Sequence, residues 1–103
     1  MTERWLKVAE LDAVPEGGVV QVRVGAEAVA LYNLDGKVYA TSDICTHAYA
    51  CLSDGYIDGE NIECPLHQGL FHIPTGKAVA APASEDLKTY PVKLDGGAVY
   101  IEV

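Results

Sequence analysis

Positive charge is scarce in this sequence: seven Lys and Arg stand against fifteen Asp and Glu in 103 residues, a formal net charge of −8 with His neutral. A surface of that sign repels phosphate backbones and anionic headgroups, so no nucleic-acid partner and no membrane partner is expected. Long apolar runs are missing as well. None approaches the roughly 18–20 residues that a spanning helix needs, and Met1-Thr2-Glu3-Arg4-Trp5 lacks the charged-then-apolar layout of a signal peptide, so a cytoplasmic location is expected. The chain has three cysteines, an odd count without secretory context, which argues against a disulfide framework and for metal or redox use. Helix signals are thin: only the stretch 9–14 has room for a turn or two before Pro15 and Gly17-Gly18 end it. The length leaves no space for a nucleotide-binding fold beside a separate substrate domain, so one domain spanning 1–103 is expected.

Strand patterns are abundant. Val20, Val22 and Val24 alternate with Gln21 and Arg23, placing the valines on one face of a half-buried strand. The apolar run 28–34 ends in Asp35-Gly36, and Val38-Tyr39-Ala40 reads as the return strand of a hairpin. Asp-Gly recurs at Asp54-Gly55, Asp58-Gly59 and Asp95-Gly96, and each is read as a reversal because Gly supplies the positive φ of tight turns. In the last hairpin the strand 89–94 runs into Asp95-Gly96-Gly97, with Val99, Ile101 and Val103 facing in and Tyr100 and Glu102 facing out. The whole pattern is all-β.

Between residues 41 and 81 the strands shorten, and every His and Cys of the chain falls in that stretch. It reads as an insertion on a sheet scaffold, closed by the segment 78–82. Cys45-Thr46-His47 and Cys64-Pro65-Leu66-His67 are two short loops, each offering one thiolate and one imidazole, with sixteen residues between them. Zinc and iron–sulfur are the candidate metals for such a donor set. Structural zinc usually takes a Cys pair from one element and a His pair from another, whereas here each half mixes the two ligand types. Mixed pairing suits a two-iron site in which one iron takes both thiolates and the other takes both imidazoles.

On these motifs the chain resembles the Rieske [2Fe–2S] ferredoxins that serve bacterial aromatic-ring-hydroxylating dioxygenases. Gly76-Lys77-Ala78, Pro82 and the closing Lys88-Thr89-Tyr90-Pro91-Val92 also sit where that family has them. The resemblance implies an all-β Rieske fold, with antiparallel sheets in a small sandwich or incomplete barrel and a two-loop cluster-binding subdomain at about 42–82. It implies one [2Fe–2S] cluster per chain, with Cys45 and Cys64 on the inner iron and His47 and His67 on the outer one. It also implies a cover over the cluster near Pro82. The function implied is one-electron transfer from a flavin-dependent ferredoxin reductase to a terminal Rieske non-haem iron dioxygenase, with no catalytic residues in this chain. Respiratory Rieske proteins carry a further loop cysteine where Leu66 stands here, and a serine and a tyrosine where Gly69 and Phe71 stand. Hydrogen bonds to cluster sulfur favour the reduced state, so their loss places the potential toward the low end of the Rieske range, about −150 mV. Ala48 and His72 replace the Gly and Asp often found at their positions in the family.

Two alternatives stand beside this reading. The same carrier serves a diiron monooxygenase or another oxidoreductase, or the four ligands hold zinc in a β-domain that acts as an interaction module. Cys51 reads as an ordinary partly buried residue rather than a redox thiol, and His72 as a strand histidine rather than a proton carrier. Tyr49 and Tyr56 have either a docking or a packing role. A carrier that visits two partners through one exposed edge gains little from burying it, so a monomer is expected.

Overall fold

The computed structural model describes residues 4–45, 50–66, 69–81 and 85–102. In chain order the strands are β1 (Trp5–Glu10), β2 (Val19–Val24), β3 (Glu27–Leu34), β4 (Lys37–Ser42), β5 (Tyr56–Asp58), β6 (Asn61–Glu63), β7 (Leu70–His72), β8 (Ala78–Ala80), β9 (Thr89–Tyr90), β10 (Val92–Asp95) and β11 (Ala98–Glu102). They form three antiparallel sheets, ordered β1-β11-β10, β2-β3-β4-β9 and β5-β6-β7-β8, and none of them closes into a barrel among the described residues. Among the described residues helix is confined to two single 3-10 turns, Leu11–Ala13 and Leu52–Asp54. No helix among the described residues is long and apolar enough to cross a membrane.

Strand β3 explains the layering. Its residues Ala28 to Asn33 are all buried, the mark of a strand covered on both faces rather than one. Because successive side chains point to opposite faces, Val29 and Leu31 enter one core while Ala30 and Tyr32 enter another. The first core is completed by Val38, Ala40, Tyr90, Val99 and Ile101, with Val20, Val22 and Val24 packed against it. It glues the first two sheets together. The second joins Ala30 and Tyr32 to Leu52, Ile62, Phe71, Ile73, Leu87 and both Cys45 and Cys64. At its margin the Tyr32 hydroxyl hydrogen-bonds with Thr41 Oγ1 at 2.8 Å, and burial pushes the Tyr32 phenol pKa well up.

The turns follow the sequence with two corrections. Asp35-Gly36 links β3 to β4 with φ of 54° and 87°, the two-residue primed turn that only Gly, Asn and Asp adopt readily, and Asp58-Gly59 and Asp95-Gly96-Gly97 also reverse the chain between paired strands. Asp54-Gly55 does not make a hairpin. Gly55 has φ −90° and ends the Leu52–Asp54 turn, and glycine is needed because a Cβ would lie 2.0 Å from the Glu63 carbonyl oxygen. The stretch 89–94 is not one strand either: it changes sheet at Pro91, with β9 pairing β4 and β10 pairing β11. Proline has no N–H to donate to a continuing ladder. Val99 and Ile101 are fully buried and Tyr100 and Glu102 are not, while Val103 lies outside the described residues.

Candidate metal centre

Two loops rise from the second core, each beginning at a buried cysteine. Cys45 is 3% exposed and Cys64 0%. The Cys45 N–H donates to the Ala50 carbonyl at 2.9 Å, and the Cys64 N–H donates to the Gly69 carbonyl at 2.8 Å. Each loop is therefore a closed six-residue span whose first residue points a thiol into the same apolar cluster. Residues 46–49 and 67–68 lie outside the described residues, and with them the two histidine candidates, His47 and His67, as well as Ala48 and Tyr49.

The loops are supported differently. The second one connects β6 to β7, which pair at Asn61–His72, Ile62–Phe71 and Glu63–Leu70, so a strand ladder holds both of its ends. Beneath the first there is one isolated bridge, Ile44 to Cys51. Further support comes from Asp43, which is fully buried. One carboxylate oxygen accepts the Ser53 N–H at 2.7 Å; the other accepts Ser53 Oγ at 2.8 Å and Gln21 Nε2 at 2.6 Å. Asp43, Gln21 and Ser53 were not among the expected site residues. A signal for Gln21 was available in the β2 alternation, which pairs it with Ala30 and so places it on the face of the second core.

Cys51 is half-buried beside Gln21 Nε2 at 3.6 Å, and burial together with the Asp43 and Asp54 carboxylates pushes its thiol pKa up. A low thiolate population suits the ordinary reading of that residue. His72 sits on β7 with Nδ1 2.8 Å from Thr75 Oγ1, a strand histidine as expected. Tyr56 is 67% exposed on β5 rather than packed beside a loop. Phe71 is fully buried in the second core, and neither it nor Gly69 has a hydroxyl to offer. The closing segment is strand β8 as far as Ala80, while Pro82 lies outside the described residues.

Exposed apolar side chains flank both loops. Ile44 and Leu66 are large, exposed side chains, and with Ala50, Cys51, Asp54 and Pro65 they line a shallow depression shared by both loops. Two buried thiols entering one water-excluding cluster fit the inner half of a thiolate-ligated iron centre. The low dielectric there favours a neutral metal–thiolate unit over separated charges.

An all-β scaffold with paired, cysteine-bearing loops above a dedicated core defines a small metal-cluster carrier. Residues 4–91 match the Rieske [2Fe-2S] domain family, and the chain belongs to it. Its cofactor is a Rieske-type [2Fe–2S] cluster, which sets aside the zinc module. The chain is 48% identical over 103 residues to the ferredoxin component of the naphthalene 1,2-dioxygenase/salicylate 5-hydroxylase systems of Ralstonia sp, covering all of this chain and 99% of that one. Among solved structures, the Sphingomonas yanoikuyae B1 ferredoxin superposes with a TM-score of 0.92 at 44% identity, covering 97% of this chain and 99% of that one. A chain in the complex of reduced oxygenase and oxidized ferredoxin in carbazole 1,9a-dioxygenase gives 0.89 at 40% identity, covering 95% and 92%.

Proposed function

We propose that this protein is the ferredoxin of an aromatic-ring dioxygenase system, taking single electrons from a flavin-dependent ferredoxin reductase and passing them to the terminal oxygenase. The observation that carries the reading is the pair of buried cysteines on matched, main-chain-closed loops, in a chain that aligns end to end with dioxygenase ferredoxin components. Cys45 and Cys64 hold the inner iron; His47 and His67 hold the outer one at the protein surface. When bound, the cluster supplies a one-electron redox couple. The chain's own residues do the rest. Leu52, Ile62, Phe71, Ile73 and Leu87 exclude water from the thiolate side, and exposed Ile44 and Leu66 offer partners an apolar landing at the two cysteine-bearing loops. The acidic surface steers the carrier toward basic partner faces.

The chain works as one domain over 1–103, with its cluster-binding subdomain at about 42–82, as a cytoplasmic monomer. Gly69 and Phe71 supply no hydroxyl donors to the cluster, which supports a potential near the low end of the Rieske range, about −150 mV. The test is turnover in a reconstituted system. With reductase, NAD(P)H and an aromatic dioxygenase, substrate oxidation should depend on this protein. A ferredoxin that becomes reduced yet supports no dioxygenase, while driving a diiron monooxygenase, would reassign its acceptor.

A further inference from the structure

We propose that Asp43 is a positioning residue for the cluster, the side chain that fixes the first ligand loop where, among the described residues, one bridge stands in place of a strand ladder. This rests on the assignment of Cys45 and His47 as ligands. The asymmetry between the loops carries the argument. The second loop inherits its geometry from three register pairs of β6 and β7, whereas among the described residues a single bridge, Ile44–Cys51, lies under the first. Asp43 takes part in that bridge and adds its side chain to it. Its carbonyl accepts the Leu52 N–H at 2.7 Å, one of the two bonds that form the bridge, and its N–H donates to the Ala28 carbonyl at 3.0 Å. Its carboxylate binds Ser53 twice and Gln21 once. Residues on either side of the loop are thus tied to each other and to β2 and β3 of the scaffold.

A carboxylate is acceptor-only, and its three partners, one main-chain N–H and two side-chain groups, are donors, so the match is complete. Such charge-assisted bonds are the strong ones, and leaving buried donors without an acceptor is costly. Asp43→Ala strands the Ser53 N–H and leaves space at the base of the loop. Asp43→Asn keeps the shape and one acceptor; the Ser53 hydroxyl and the Gln21 amide can then reorient to accept from the new NH₂ group. Asparagine should therefore restore most of what alanine loses, which a purely destabilising position would not require.

The experiment compares holo-protein of wild type, Asp43→Ala, Asp43→Asn, Ser53→Ala and Val99→Ala, the last a truncation in the other core. Iron release to a chelator and the electron paramagnetic resonance spectrum of the dithionite-reduced state are measured, with thermal stability on the same samples. Asp43→Ala should release iron about tenfold faster or more, the loss expected from charged hydrogen bonds, with shifted or broadened g-features. Asp43→Asn and Ser53→Ala should fall between it and wild type. Val99→Ala should lose stability with an unaltered signal. Wild-type spectra and release rates in Asp43→Ala, or the same cluster changes in Val99→Ala, would overturn the proposal. If Asp43→Ala accumulates no cluster, Asp43→Asn and Ser53→Ala decide it by the same measures. A wild-type protein without the mixed-ligand signal would instead overturn the ligand assignment, and this inference with it.

Discussion

Replacing Gly55 with alanine should disturb the cluster from a position that carries no ligand. The dihedral angles at Gly55, φ −90° and ψ −158°, are extended backbone open to any residue, so alanine meets no conformational penalty there. The obstacle is contact. An added Cβ would lie 2.0 Å from the Glu63 oxygen, about 1.4 Å short of the 3.4 Å at which ordinary contact begins, and 3.1 Å from the Leu52 oxygen. Both are main-chain atoms, which cannot swing aside as a flexible side chain would. Glu63 adjoins Cys64, so whatever β6 yields is passed to the second ligand loop. Overpacking of this kind costs about 1–3 kcal/mol, which lowers the unfolding midpoint of a domain this size by roughly 5–20 °C. The control is Gly36→Ala in the β3–β4 turn, where a Cβ meets nothing within 4 Å but φ is +87°. That strain costs about 1–2 kcal/mol, a comparable loss at a site remote from either loop. Thermal unfolding and the spectrum of the reduced holo-protein are read for both. Gly55→Ala should change both, Gly36→Ala only the first. A wild-type spectrum in Gly55→Ala, or an equal spectral change in Gly36→Ala, would refute the reasoning.

Three further outcomes are expected. His47→Cys or His67→Cys adds an anionic ligand to the outer iron and should lower the potential in a redox titration, where an unchanged value would count against the assignment. Because the Cys51 thiol pKa is raised, less thiolate is present at neutral pH; alkylation of Cys51 should be slower than that of a model thiol and accelerate as pH rises, and Cys51→Ser should keep the cluster spectrum and iron content. With a surface of net charge −8, the ferredoxin concentration giving half-maximal oxygenase turnover should increase with ionic strength, and salt-independent kinetics would contradict electrostatic steering.

The frame of the fold was legible because its signals are local. The valine alternation of β2 and the Asp-Gly turns at 35–36, 58–59 and 95–96 act within a few residues. The stretch 28–34 also announced itself, although its two-sided burial became clear only with the second core in place. Strand β1 was harder to read, since Trp5-Leu6-Lys7-Val8-Ala9-Glu10 does not alternate cleanly and its partner β11 lies at the far end of the chain. Gly55 was misread as a turn glycine because close approach to Glu63 is a tertiary fact. A Rieske-type cluster was legible from donor chemistry, spacing and the family resemblance, while His47 and His67 lie outside the described residues. The support under it was not: Asp43, Gln21 and Ser53 meet from positions up to 32 residues apart, and each alone looks like an ordinary polar residue.

The assigned centre is a cluster held by two thiolates and two imidazoles. Its most direct test is the electron paramagnetic resonance spectrum of purified protein before and after dithionite, with iron and acid-labile sulfide assayed on the same sample. The oxidised protein should be silent, and reduction should produce a rhombic signal with an average g below that of all-thiolate two-iron ferredoxins, with two irons and two sulfides per chain. A silent sample holding zinc and no sulfide after anaerobic reconstitution, or a signal of the all-thiolate type, would contradict it.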